Sequence, residues 1–180
     1  MNWEREKRMQ QEQLVGMIRT ATHEVFGTML GLDLVDGEAT VGQSAPEPID
    51  GVVAIIGLAG RWVGTGTFSA SAEASRKIAS QMLMQEYAAV DDEVLDALGE
   101  ITNMIIGSVK TSLEEEYGAM GLSIPTVIYG RNFTTRSVGR NEWVVVPFHC
   151  MDTTVEVHLC LIPGSESQNT TRQTAILSMQ

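Results

Sequence analysis

Cysteine is scarce in this chain. Cys150 and Cys160 are the only two in 180 residues, and neither sits in a CxxC motif or a Cys/His cluster. The expectation is two buried free thiols in a reduced cytosolic protein, ahead of a disulfide or a metal site. Histidine is scarce too: His23, His149 and His158 are scattered, with no HxxxH spacing, so no metal centre is expected. Cations are outnumbered, 12 Lys and Arg against 23 Asp and Glu, which leaves a formal charge of −11. Such a balance repels phosphate backbones and anionic lipid heads, so neither nucleic acid nor a membrane surface is an expected partner. It favours a partner that shows a basic rim. No apolar run approaches the roughly 18 residues that span a bilayer, and Met1 to Gln13 is charged and Gln-rich, without a signal-peptide core. The expected location is the cytoplasm. Also missing are a Walker lysine after the glycines of 57–66 and any Gly-x-Ser-x-Gly, which argues against nucleotide binding and a serine nucleophile.

What the chain has is core-building material: 43% hydrophobic residues and 19% charged, enough for one folded domain. Leu14, Met17, Ile18, Ala21, Val25, Phe26 and Met29 recur at helical steps, which predicts a first helix over 5–31 ended by Gly31. Leu34 to Gln43 reads as an irregular strand, broken at Asp36-Gly37, and 43–50 as a loop. Residues 51–58 and 62–69 form a hairpin whose Gly64 and Gly66 imply close approach of another backbone or a helix. Ser71 caps a second helix running to about Tyr87, with Ile78, Ala79, Met82 and Leu83 inward. A third helix runs from Asp91 or Asp92 to about Tyr117, followed by Gly118. Strands are expected at 122–129, 143–150 and 154–162, the last with only one face buried. Residues 1–163 are read as one domain and 164–180 as a flexible tail. The run Glu114-Glu115-Glu116, at the unfavourable end of the helix dipole, reads as solvated charge.

The third helix separates its residues cleanly. At 100° per residue, Asp92, Asp96, Glu100, Asn103, Gly107, Lys110 and Glu114 share one side, while Val94, Leu95, Leu98, Ile101, Ile105, Ile106, Val109 and Leu113 share the other. A polar helix face is ordinarily solvated surface. Here, however, it contains an asparagine, whose amide competes with the backbone, and a glycine that costs about 1 kcal/mol relative to alanine. A face selected only for solubility would carry Lys, Glu or Gln at those places. Asn103 and Gly107 read instead as an amide tip beside bare backbone, with room for a docked surface, and Glu100 as a partner for a cation on it.

These residues carry a family resemblance. Asp96-x3-Glu100-x2-Asn103 resembles the [Asp/Ser]-x3-Glu-x2-Asn motif of the CheC/CheX/FliY family of chemotaxis phosphatases, and the stretch from Leu98 to Gly107 is similar to its signature helix almost throughout. Val25-Phe26 with Met29-Leu30-Gly31, the glycine-bounded hairpin and Ser71-x-Glu73 resemble further parts of it, so that the likeness covers roughly Leu14 to Ile162. The family's proline, some 22 residues past the asparagine, has its counterpart in Pro125, which follows after 21. Family members of the CheC type carry a second Glu-x2-Asn on the first helix; here Glu24-x2-Gly27 lacks the amide, so the chain resembles the CheX branch.

The resemblance implies an α+β fold, a largely antiparallel sheet of about six strands covered by long α-helices. It implies a phosphatase that hydrolyses the aspartyl phosphate of a CheY-like response regulator, with Asn103 positioning the water and Glu100 binding the regulator's lysine. Asp96 is read as a docking contact or as a solvated acid, and Gly107 as part of the partner-binding surface. No cofactor of its own is implied, Mg²⁺ being held by the regulator, and a homodimer with two independent motif helices is expected. The rival reading is a non-catalytic dimeric adaptor for a response regulator or a flagellar switch component.

Overall fold

Among the described residues, eight antiparallel strands and three α-helices form the fold, with one helix-bearing face of the sheet holding the main core. The computed structural model describes residues 3–42, 49–134 and 141–164. Helix α1 (Trp3–Val25) continues through a π-helical turn at Phe26–Leu30, closed by Gly31 at φ 62°. The wider turn shifts the helical phase. Phe26 and Leu30 therefore face the core while Met29, expected inside, stands 45% exposed.

The irregular strand of the sequence is two short pieces, β1 (Val35–Asp36) and β2 (Thr40–Gly42). Gly37 lies between them, donating to the Pro147 carbonyl at 2.9 Å. A Cβ at Gly37 would meet the Pro147 ring at 2.7 Å, so the break needs glycine. The hairpin is β3 (Ile49–Gly60) and β4 (Trp62–Ser71), longer than expected at both ends. Ile49 and Asp50 belong to β3 instead of the loop, whose remaining residues, 43–48, lie outside the described ones. Both β4 glycines do what their sequence implied. A side chain at Gly64 would collide with the Cys160 carbonyl of the neighbouring strand, and one at Gly66 would meet Ile106 of the third helix at 2.5 Å.

Helix α2 (Ala72–Leu83) starts on Ser71, whose hydroxyl accepts the Ala74 N–H at 3.1 Å. It stops earlier than expected because Met84 turns left-handed, at φ 54°, which leaves Leu83 exposed. Helix α3 (Asp92–Tyr117) follows, capped by the Asp91 carboxylate. Then come β5 (Met120–Leu122), β6 (Thr126–Phe133), β7 (Trp143–Cys150) and β8 (Thr153–Pro163).

The strand count is eight, not six, for a specific reason. The spatial order is β1–β7–β8–β4–β3–β5, with β2 also on β7 and β6 also on β3. Each edge position is thus shared by two strands, so the sheet is six positions wide. Proline accounts for the second split: at Ser123-Ile124-Pro125 the strand expected over 122–129 breaks, and Pro125 has no N–H for the ladder. Residues 165–180, most of the expected tail, lie outside the described residues.

β8 corrects a further expectation. Val155, Val157 and Leu159 are buried on the helix side, yet His158 and Cys160 on the opposite side are buried as well. β8 is central, flanked by β4 and β7, and Thr67, the β4 partner of His158, is buried as well. His158 Nε2 meets Glu156 Oε2 at 2.9 Å and its Nδ1 has no partner among the described residues. Glu156 is held below its ordinary carboxyl value by that contact.

Candidate functional site

The frame of the site is α3, pinned along its length. At the start, Val94 N–H donates to Asp91 Oδ1 at 3.0 Å; at the finish, Gly118 N–H donates to the Glu114 carbonyl at 3.1 Å. Leu98, Ile101, Ile105, Ile106, Val109 and Leu113 are fully buried against the sheet and the other helices. Thr102, buried among them, satisfies its hydroxyl on the Leu98 carbonyl at 2.6 Å. A helix so anchored holds its outward residues in fixed register.

Asp96, Glu100 and Asn103 all stand on the exposed side of this helix. None of their side chains makes a hydrogen bond or ion pair with a described residue. Gly107, half-buried, completes the face. A Cβ built there meets only Leu122 Cδ1, at 3.9 Å, so nothing inside the described chain requires a glycine. All four expected site residues therefore share one stripe, which forms an open ridge. Grooves elsewhere lie beside α2, at Arg76 and Tyr87, and between α1 and the β1–β2 edge, at Val15 and Glu38.

The flank of the stripe rests on the broken edge strand. A Cβ at Gly99 would sit 3.4 Å from Val127 Cγ2 and 3.7 Å from Pro125 Cβ. Gly99, Asn103 and Gly107 follow one another at four-residue steps, so they lie along one side of the helix. With Gly99 level with Pro125 and Val127, and Gly107 level with Leu122, Asn103 lies level with the break at 123–125.

Further down the helix the stripe behaves differently. Glu114 Oε1 accepts the Met120 N–H at 2.8 Å and pairs with Lys110 Nζ at 3.0 Å. The Met120 N–H, then the Lys110 ammonium, hold its carboxyl below the ordinary value. Glu114 is thus a structural clasp between α3 and β5, not the solvated charge expected from the sequence. The signal was the cation one turn earlier, Lys110, together with the nearby Gly118 turn.

The remaining polar candidates are dispersed. His23 Nε2 meets Asp36 Oδ1 at 2.7 Å, His149 Nδ1 meets Thr154 Oγ1 at 3.0 Å, and His158 pairs with Glu156. Cys150 and Cys160 are both free and buried, and burial pushes both thiols up. No group of three or more His, Cys, Asp or Glu suited to a metal occurs among the described residues. No helix among them is long and apolar enough to cross a membrane.

Three helices on one face of an antiparallel sheet, with an unengaged carboxylate and amide on an open ridge, define an α+β protein whose candidate site is a surface helix. A family model described as chemotaxis phosphatase CheX matches residues 52–149. That is more than half of the chain and includes all of α3, and the chain belongs to that family.

Among its relatives, the CheY-P phosphatase CheX of Thermotoga maritima is 28% identical over 127 residues, covering 70% of this chain and 81% of that protein. The crystal structure of the chemotaxis protein CheX from Desulfovibrio desulfuricans is similar at a TM-score of 0.75 and 25% identity, over 83% of this chain and 99% of that one. A crystal structure of a CheX–CheY–BeF3–Mg²⁺ complex from Borrelia burgdorferi matches at a TM-score of 0.68 and 27% identity, over 82% and 96% of the two chains.

Proposed function

We propose that this chain is a phosphatase acting on the aspartyl phosphate of a CheY-like response regulator in bacterial chemotaxis or two-component signalling. The observation that carries the proposal is the Glu100–Asn103 pair, exposed on an anchored helix and without a partner among the described residues. The family description and the names of the relatives support the same reading.

In this mechanism the regulator supplies the acyl phosphate, the Mg²⁺ and a lysine, and the helix supplies position. The Asn103 amide donates to a phosphoryl oxygen and accepts from the attacking water, which it holds in line with phosphorus. Water's oxygen forms the new bond to phosphorus, the bond to the aspartyl oxygen breaks, and carboxylate and inorganic phosphate result. Glu100 binds the regulator's lysine in a charge-assisted contact that fixes the register of the helix. Asp96 extends the acidic edge of the docking surface one turn back, and Gly107 leaves backbone open to the partner. A hundredfold acceleration needs about 2.7 kcal/mol of transition-state stabilisation, within reach of one preorganised amide in a water-excluded interface. The protein works in the cytoplasm as a homodimer with two independent motif helices, and light scattering of the purified chain tests that assembly.

The test of function is the decay of phosphorylated receiver domains from the same cell, with and without this protein. Faster decay of one of them is the expected result. Binding to a receiver with unchanged decay would replace the phosphatase with an adaptor.

A further inference from the structure

Beside the polar stripe stands one large apolar side chain that the chemistry above does not use. Ile124 is 85% exposed, next to Pro125 in the break between β5 and β6. The break has a defined conformation. Ser123 N–H donates to the Gly57 carbonyl at 2.9 Å, Gly57 N–H donates to Ser123 Oγ at 2.9 Å, and the Ser123 hydroxyl donates to the Ile124 carbonyl at 2.9 Å. Ile124 is therefore held on a fixed backbone, and its β-branched side chain has few rotamers left to lose on contact.

Its place along α3 follows from the packing on either side. Leu122 lies against Gly107, and Pro125 and Val127 lie against Gly99, so the segment that bears Ile124 runs past the helical turn that carries Asn103. Because Pro125 interrupts the ladder at the sheet edge, another strand cannot pair straight through this point. A partner must meet Ile124 through side chains.

We infer that Ile124 is the apolar anchor by which the phosphorylated receiver domain docks beside Asn103. The inference rests on the function proposed above and deepens it by naming a specificity-determining contact. Asp96, Glu100 and Asn103 give the partner directional, salt-sensitive contacts that tolerate water. A rigid apolar side chain alongside them seats the receiver against the helix, as buried anchors do at the centre of protein interfaces. The receiver surface that fits combines a lysine with an apolar depression alongside it.

The experiment compares wild type, Ile124→Ser, Ile124→Leu and Val35→Ser. Val35 is 65% exposed on β1 at the opposite edge of the sheet, and so controls for lost surface hydrophobicity. The substrates are phosphorylated CheY-class receiver domains from the same cell, and the binding probe is the responsive receiver loaded with beryllofluoride and Mg²⁺. Ile124→Ser is expected to raise KM and weaken binding of the probe about tenfold while kcat at saturation stays within twofold, because the water-positioning amide is intact. Ile124→Leu restores most of the affinity, and Val35→Ser matches wild type. KM and probe binding within twofold of wild type for Ile124→Ser, or an equal loss for Val35→Ser, would overturn the anchor and leave the phosphatase reading standing. Wild-type protein that neither binds nor dephosphorylates any receiver would overturn both.

Discussion

Glu100 and Glu114 stand on the same stripe of the same helix, and their surroundings could hardly differ more. Glu114 is saturated from within, taking the Met120 N–H and the Lys110 ammonium on one oxygen. Glu100 has no partner among the described residues, and neither has Asn103 beside it. A polar group that the fold has already satisfied serves the fold, because its removal leaves a donor or a cation unpaired. A polar group on an anchored helix that the fold leaves open is available to something else. This difference divides α3 into a lower half engaged by the fold and an upper half left open, to which the proposed function assigns docking; the polar pattern of the helix alone does not show the division.

Exchanging the two carboxylates for amides should separate the two halves of α3 most strongly. Glu100→Gln is expected to leave the melting temperature unchanged and to weaken receiver binding by 1.5–3 kcal/mol, roughly the worth of a charge-assisted hydrogen bond. Glu114→Gln is expected to lower the melting temperature with receiver affinity intact. Calorimetric titration and thermal melts on both variants decide the matter, and equal behaviour would erase the division.

A gentler probe is Gly107→Ala. A methyl group fits beside Leu122, so the change should stabilise the helix by about 0.8–1 kcal/mol. It should also reduce receiver affinity, since it covers backbone that the partner approaches. Denaturant melts measure the first effect and titration the second. Stabilisation with unchanged affinity would remove Gly107 from the docking surface.

The smallest effect is in the pH dependence of stability. Glu114 is held below its ordinary value of 4.5 by Met120 and Lys110. Its contribution is therefore fully present above that value and lost as pH falls through the lower, folded-state value. Wild type and Glu114→Gln should differ in melting temperature near neutrality and converge in acid. Curves that stay parallel into acid would place the contribution elsewhere.

Much of this was legible in the residues. The alternation of α3 and its Asp91 cap, the Ser71 cap, and Gly64 and Gly66 each translate directly into a contact, because helix period, capping and a missing Cβ are local properties. The polar stripe with its asparagine and glycine pointed to Asp96, Glu100, Asn103 and Gly107, and the structure brings them onto one open ridge. What escaped depends on residues far apart in the chain. Met29 turns outward because a π turn shifts the phase, and His158 is buried because its strand lies between two others. Glu114 is engaged only once β5 folds back to offer Met120. Ile124 carries no periodic signal at all, and the course of its segment past the turn of Asn103 emerges only when Pro125 is seen to pack on Gly99 and Leu122 on Gly107.

In the proposed function, Asn103 supplies chemistry and not attachment. Its most direct test is the first-order decay of a saturated, phosphorylated receiver in the presence of wild type or Asn103→Ala, with affinity measured for both. Removing the amide should return decay to the receiver's own rate, a loss of about 2.7 kcal/mol for a hundredfold acceleration, while affinity stays within a few-fold of wild type. Retained acceleration in Asn103→Ala would contradict the account.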